Sequence, residues 1–239
     1  MRHDMSVTEA PVWQRIAQVL SADIEGQAAG ARLPTEARLA ERFGVNRHTV
    51  RRAIESLVRQ GRLRVEQGRG AFVADEVLDY MVSARTRFSE WIRRHDKVPA
   101  GEMLRLRELP ARHDVAAALG IGEGEAVALL ERLGRADGIP ISLTDHHFPV
   151  ARLPGIVDAL RAAPTITEAL IRVGVADYTR QSTRVSARMP SEMEAGLLHI
   201  DRTRPLLICE NVNIGLDGAV VEFGIGRYPS ARVQVVFEP

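Results

Sequence analysis

The chain has 239 residues, of which 45% are apolar, so it suits one large domain or two small ones, each able to bury a core. Its formal net charge of +1 excludes a polycation as a whole, and its lone cysteine, Cys209, excludes an intrachain disulfide and argues against a cysteine-based zinc site. There is no signal-peptide core and no run of about 18 apolar residues, which predicts a soluble, cytoplasmic protein with no membrane partner.

Residues 1–10 read as a frayed tail. Over 12–24, Val12, Trp13, Ile16, Val19, Leu20 and Ile24 recur at helical spacing, and Gly26 and Gly30 end that helix. Thr35 is placed to cap a second helix that carries Arg38 in its first turn, turns Leu39, Ala40 and Phe43 inward, and stops at Gly44. Asn46 caps a third, 47–60, with Val50, Ala53, Ile54, Leu57 and Val58 on one face and Gly61 at its end. Alternating stretches at 63–66 and 71–74 flank Gln67-Gly68-Arg69-Gly70, a hairpin with a cationic, glycine-rich tip. Three helices and such a hairpin predict a winged helix-turn-helix over 11–75.

Residues 76–95 read as a linker, and 96–239 as a second, α+β domain. Strands are expected at 102–108, 126–136, 139–148, 179–187, 206–214, 220–228 and 233–237. Helices are expected at 114–119, 154–160, 167–173 and 191–198. Asp137-Gly138 and Asp217-Gly218 are strong hairpin turns. Consecutive hairpins imply a mostly antiparallel sheet with helices on one face.

Charge singles out the first domain. Residues 32–72 hold ten arginines against four glutamates, a net +6, whereas 76–239 hold 20 basic and 22 acidic residues, a net −2. A basic module on a near-neutral body implies an anionic partner for the module alone. In a helix-turn-helix the start of the second helix of the motif enters the major groove, which selects Arg47, His48, Thr49, Arg51 and Arg52. Arginine can reach guanine with two parallel hydrogen bonds, and Thr49 suits a phosphate or a thymine methyl. Arg38 suits a phosphate. Arg69, between Gly68 and Gly70, suits a narrow minor groove. Singly, each arginine reads equally well as a solvated helix face; jointly, the order helix, turn, helix, wing favours DNA.

The run Leu33-Pro34-Thr35-Glu36, Leu39-Ala40, Phe43 to Ala53, then Gly68-Arg69-Gly70-Ala71-Phe72-Val73, resembles the GntR family of regulators. That resemblance implies DNA contacts by Arg38, Arg47, Thr49, Arg51 and the wing glycines. Thr35 and Asn46 stand where serine is usual. The second half, through Ala118-Leu119-Gly120, Gly124-Glu125, Leu133 to Ile141, His147-Phe148-Pro149, Glu222 and Arg227-Tyr228, resembles the HutC branch, whose effector domain (UTRA) has a chorismate-lyase-like fold. Arg87-Phe88-Ser89, Asp145 to Phe148 and Arg184 to Arg188 are similar to the phosphonate-metabolism regulators of the PhnF type.

The resemblance implies a homodimer on a palindromic operator, a repressor released or modulated by a small anionic effector. Candidate effector contacts are Thr86, Arg87, Phe88, Ser89, Arg132, Asp145, Arg184, Glu222 and Tyr228. Arginine, threonine and serine supply donors for a phosphate- or phosphonate-like group, while Glu222 and Tyr228 suit a polar or amine group. Relatives place two arginines two apart before the Asp-Gly turn; here Arg132 is followed by Gly134, with Arg135 displaced to the opposite strand face, which argues against simple transfer of sugar-phosphate specificity. Other roles stay open. Arg132 and Arg184 suit solvent, Arg87 and Ser89 suit caps for a helix at 88–93, and Glu222 suits an ion pair with Arg227 or Arg184. His146 and His147 face opposite ways, so no metal site is expected. No cofactor and no catalytic triad are expected; a chorismate-lyase-like enzyme and an effector-independent DNA-binding protein are the alternatives.

Overall fold

The computed structural model describes residues 10–25, 27, 30–66, 68–74, 77–85 and 87–237. Gly26, Gln67, Thr86 and most of the expected tail lie outside these. The chain divides into two compact units, 1–76 and 77–239.

The first unit contains α1 (Val12–Asp23), α2 (Glu36–Phe43), α3 (Arg47–Arg59), β1 (Leu63–Glu66) and β2 (Gly70–Val73). Ile16 and Leu20 of α1, Leu39 of α2, and Val50, Ile54 and Leu57 of α3 meet in one core, closed by Leu63, Ala71 and Val73 of the hairpin. Val12 and Val19 remain exposed, so the buried stripe of α1 is narrower than the apolar spacing suggests. Local chemistry sets the boundaries. The Thr35 hydroxyl accepts from the Arg38 N–H (3.4 Å), and the Asn46 carbonyl oxygen accepts from the Thr49 N–H (2.8 Å). Gly44, at φ 63°, takes the left-handed conformation that ends α2.

The second unit contains β3 (Leu78–Met81), α4 (Phe88–Arg93), β4 (Pro99–Pro110), α5 (His113–Leu119), β5 (Ala126–Ala136), β6 (Ile139–Pro149), α6 (Ile156–Ala162), α7 (Ile166–Arg172), β7 (Tyr178–Arg188), α8 (Glu192–Leu198), β8 (Leu206–Gly215), β9 (Val220–Pro229) and β10 (Val233–Val236). Six strands form an antiparallel sheet in the order β4-β5-β6-β9-β8-β7. Asp137 (φ 48°) and Gly138 (φ 79°) make the tight turn expected between β5 and β6.

Two expectations are corrected. The segment read as a linker is largely built into the second unit: β3 pairs in parallel with β10, and Trp91 and Ile92 of α4 are buried. Helices cover both faces of the sheet rather than one. Ala128, Leu130 and Phe148 pack against α6 and α7, whereas Leu133, Leu143 and Ile208 point the other way, toward Leu198 of α8, and Val127 and Phe223 toward α5. Alternate residues of these strands are apolar on both sides, so both faces must be covered.

Candidate functional site

On the first unit, Arg38, Arg47, His48, Arg51 and Arg52 are exposed and Thr49 is half-buried. Arg38 and Arg47 form no ion pair among the described residues. Arg51 grips Glu36 of α2 with two hydrogen bonds (2.8 and 3.2 Å), tying the two helices of the motif together. The Arg52 guanidinium lies over the Trp13 ring at 5.1 Å, and the Thr49 hydroxyl donates to Asn46 (2.9 Å). At the hairpin tip Gly68 and Gly70 are exposed, and Arg69 pairs with Glu66 at 2.6 Å.

The second unit holds a cavity of about 540 Å³. One wall is the sheet face carrying Arg132 and Gly134 of β5, Ser142, Thr144 and His146 of β6, Glu222 and Tyr228 of β9, and Asn211 and Asn213 of β8; Arg180 and Tyr178 of β7 close one side. Arg87, Phe88 and Ser89, at the start of α4, form the opposite wall with Tyr80. Of the expected effector residues, Arg87, Phe88, Ser89, Arg132, Glu222 and Tyr228 come together here. Thr86 lies outside the described residues. Asp145 and Arg184 do not line the cavity. Asp145 falls between Thr144 and His146 and so faces away, where it binds Arg227 at 2.6 Å. Arg184 is turned out by a bulge between Arg180 and Ser182. Opposed residues of paired strands share a face, so Arg180 opposite Asn213 and Thr183 opposite Asn211 lie on the sheet face that carries the cavity, and Arg184 opposite Glu210 does not.

The cavity's charges are unequally matched. Arg132 makes no hydrogen bond or ion pair among the described residues, and burial depresses its pKa with no carboxylate set against it. A Cβ on Gly101 would overlap its guanidinium, so glycine there is what leaves it room. Arg180 donates to the Tyr80 hydroxyl (2.7 Å) and to Asn213 (3.4 Å). Arg87 donates to the Tyr178 carbonyl (2.8 Å), lies over that ring at 3.5 Å, and pairs loosely with Asp177 (3.4 Å). It occupies the N-cap position of α4, yet its side chain makes no cap bond. Glu222 pairs with neither Arg227 nor Arg184: its oxygens accept from Asn213 (2.7 Å) and meet His146 Nδ1 (2.5 Å). Burial opposes its charge, but His146, Asn213 and Arg180 outweigh burial and hold its carboxyl below the ordinary range. Burial pushes the Tyr228 hydroxyl well above its usual value and the Cys209 thiol up to about 11.

His147 faces away from His146, with Nδ1 at 3.2 Å from the Phe223 carbonyl oxygen, and burial lowers its pKa. Among the described residues no three His, Cys, Asp or Glu side chains gather to hold a metal ion. Position 134 leaves no room for a side chain, because a Cβ there would overlap the Phe88 ring and the Ser142 hydroxyl. Arg135 instead bonds Glu102 (3.3 Å) and the Gly138 carbonyl (3.2 Å). Sequence reasoning passed over Arg180, Tyr178, Thr144, Asn211 and Asn213. Alternation along β6 and β8 was the available signal for three of them; even spacing from Arg184 pointed to Arg180 as well, although the β7 bulge then separates the two.

Residues 13–73 match the bacterial regulatory proteins of the gntR family, and residues 94–234 match the UTRA domain. An uncharacterised HTH-type transcriptional regulator of Rhizobium meliloti (strain 1021) is 32% identical over 95% of this chain and 94% of its own. A protein of Escherichia coli (strain K12) named a probable transcriptional regulator, PhnF, is 36% identical over 84% of this chain and 83% of its own. The crystal structure of PhnF from Mycobacterium smegmatis superposes with a TM-score of 0.66 at 24% identity, covering 94% of this chain and 98% of that one, a likeness of fold. Among the described residues no helix is long and apolar enough to cross a membrane. The chain therefore belongs to the GntR family of bacterial regulatory proteins, as a transcriptional regulator that joins the family's helix-turn-helix to a chorismate-lyase-like UTRA domain.

Proposed function

We propose that this regulator is a homodimeric repressor whose hold on a palindromic operator is set by a small anionic effector, phosphonate- or phosphate-like, in the cavity of its second unit. The observation that carries this reading is Arg132: a desolvated guanidinium with no carboxylate against it among the described residues, in a cavity that also presents Arg87 and Arg180. A bound anion supplies the missing charge, and Ser142 and Thr144 add hydroxyl donors beside it. Relatives named PhnF support a phosphorus-containing acid over a carboxylate. DNA is read by Arg47, His48, Thr49, Arg51 and Arg52, with Arg38 and the Gly68-Arg69-Gly70 tip on the backbone and minor groove.

The effector acts by binding the DNA-competent and DNA-incompetent states unequally. Arg87 is near in sequence to the boundary between the units and ties α4 to Tyr178, so an anion that recruits Arg87 changes the element that follows the reading head. The primary test is a thermal-shift panel of phosphonates, sugar phosphates and carboxylates on the full chain, with sedimentation for the dimer. A phosphorus acid should raise the melting temperature, and Arg132→Gln should abolish the rise; a panel without any anion-dependent shift sinks the effector reading. Operator affinity of Arg87→Ala is the second measurement, and induction equal to wild type would remove Arg87 from the mechanism.

A further inference from the structure

In β2, Ala71 and Val73 enter the core of the first unit, and alternation turns Phe72 to the opposite side. Phe72 is nonetheless buried, at 9% exposure. Its cover is cationic: the Arg64 guanidinium lies 5.1 Å from the ring centroid and that of Arg69 lies 5.8 Å from it. A third arginine comes from outside the hairpin. Residues 30–33 run alongside β2, with the Leu33 N–H bonded to the Ala71 carbonyl (2.9 Å) and the Val73 N–H to that of Ala31 (2.8 Å), and this places Arg32 opposite Phe72. Opposed residues share a face, so Arg32 and Arg64 flank Phe72 in one cross-strand row. The Arg32 guanidinium also reaches the hairpin tip, its Nε 3.5 Å from where a Cβ on Gly70 would stand.

The hairpin sequence carries more cations than carboxylates. Glu66 is the sole carboxylate in the sequence of the hairpin 63–73, and it pairs with both Arg64 and Arg69. Arg32 is exposed and makes no ion pair or hydrogen bond among the described residues. An exposed guanidinium held over a glycine tip, beside two others, is complementary to a polyanion whose charges repeat along a line.

We propose that Arg32, which lies outside the helix-turn-helix and the hairpin in sequence, is a DNA-phosphate contact of the wing. This rests on the DNA-binding reading of the first unit. A phosphate contact carries no base information, so it can be tested without knowing the operator. The full chain, as wild type, Arg32→Gln and Arg32→Lys, is titrated with two DNA duplexes of unrelated sequence across roughly 50 to 200 mM salt. Arg32→Gln should weaken binding by the same factor on both duplexes and reduce the slope of log affinity against log salt by about 0.9 per bound subunit. Arg32→Lys should keep the wild-type slope, because counterion release follows charge. A wild-type slope in Arg32→Gln overturns the proposal, as does a change confined to one duplex. Wild-type protein that binds neither duplex overturns the DNA-binding reading itself, a distinct outcome. Melting temperatures of the three proteins should agree, since Arg32 is exposed; loss of folding in Arg32→Gln alone would make the residue structural and overturn the contact.

Discussion

Arg132 is held in the cavity at a cost, since a guanidinium withdrawn from water, with no carboxylate against it among the described residues, works against the fold. Arg132→Met should therefore raise the ligand-free melting temperature, by the equivalent of about 1 kcal/mol, while weakening a bound anion by about 1.5–3 kcal/mol, the range for a hydrogen bond to a charged group. Calorimetry of binding beside thermal melts separates the two, and a stability loss would show that Arg132 is structural. Glu194 is the opposite case. Arg188, foremost, with the Ser191 N–H, holds its carboxyl at about 2 against the opposing effect of burial. A folded value below the unfolded one makes the contribution complete above about pH 4.3 and withdraws it as the pH falls toward 2. Glu194→Gln should flatten that part of a melting-temperature-against-pH curve, and an unchanged acid limb would refute this. The cavity positions of Arg132 and Glu222 were legible from residue type together with the family resemblance. Arg184 was misplaced because one bulged residue in β7 reverses which side chains face the cavity, and composition carries no mark of it.

Among the elements, those with their own periodicity were all legible: the three helices and hairpin of the first unit, the six long strands, and α5 to α8. Caps were legible too, and Asn46 carries a consequence. It binds the Thr49 N–H and the Thr49 hydroxyl, so Asn46→Ala should cost about 0.5–2 kcal/mol in chemical denaturation of the first unit and free Thr49 at the start of α3. The short strand β3 was missed within the expected linker, and the helix expected at 88–93, α4, was assigned to that linker rather than to the second unit. Four residues carry too little pattern, and the partner of β3 is β10, more than 150 residues on. Their stability is tertiary: Trp91 donates to the Asp79 carbonyl (2.8 Å) and packs edge-on against Tyr80 at 4.9 Å. Trp91→Ala should destabilise the second unit by about 3–5 kcal/mol in a denaturant titration. A much smaller loss would mean that β3 and α4 contribute little to holding that unit.

At the scale of the whole molecule, each unit has cores built from its own residues. A fragment of 77–239 should fold alone and keep the anion-dependent thermal shift of the full chain while losing DNA binding; a fragment that aggregates or ignores the anion would refute that independence. The division into a basic head and a near-neutral body was readable from charge; the pairing of β3, which begins where the linker was expected, was not. The parallel pairing of β3 with β10 also orders events in time. The head can fold as soon as residue 76 clears the ribosome, but β3 has no partner until 233–236 are made. At roughly 5–20 residues per second that interval is on the order of ten to thirty seconds. Throughout it the nascent chain carries a finished reading head and an unfinished effector unit, so each new molecule spends its first moments deaf to its signal.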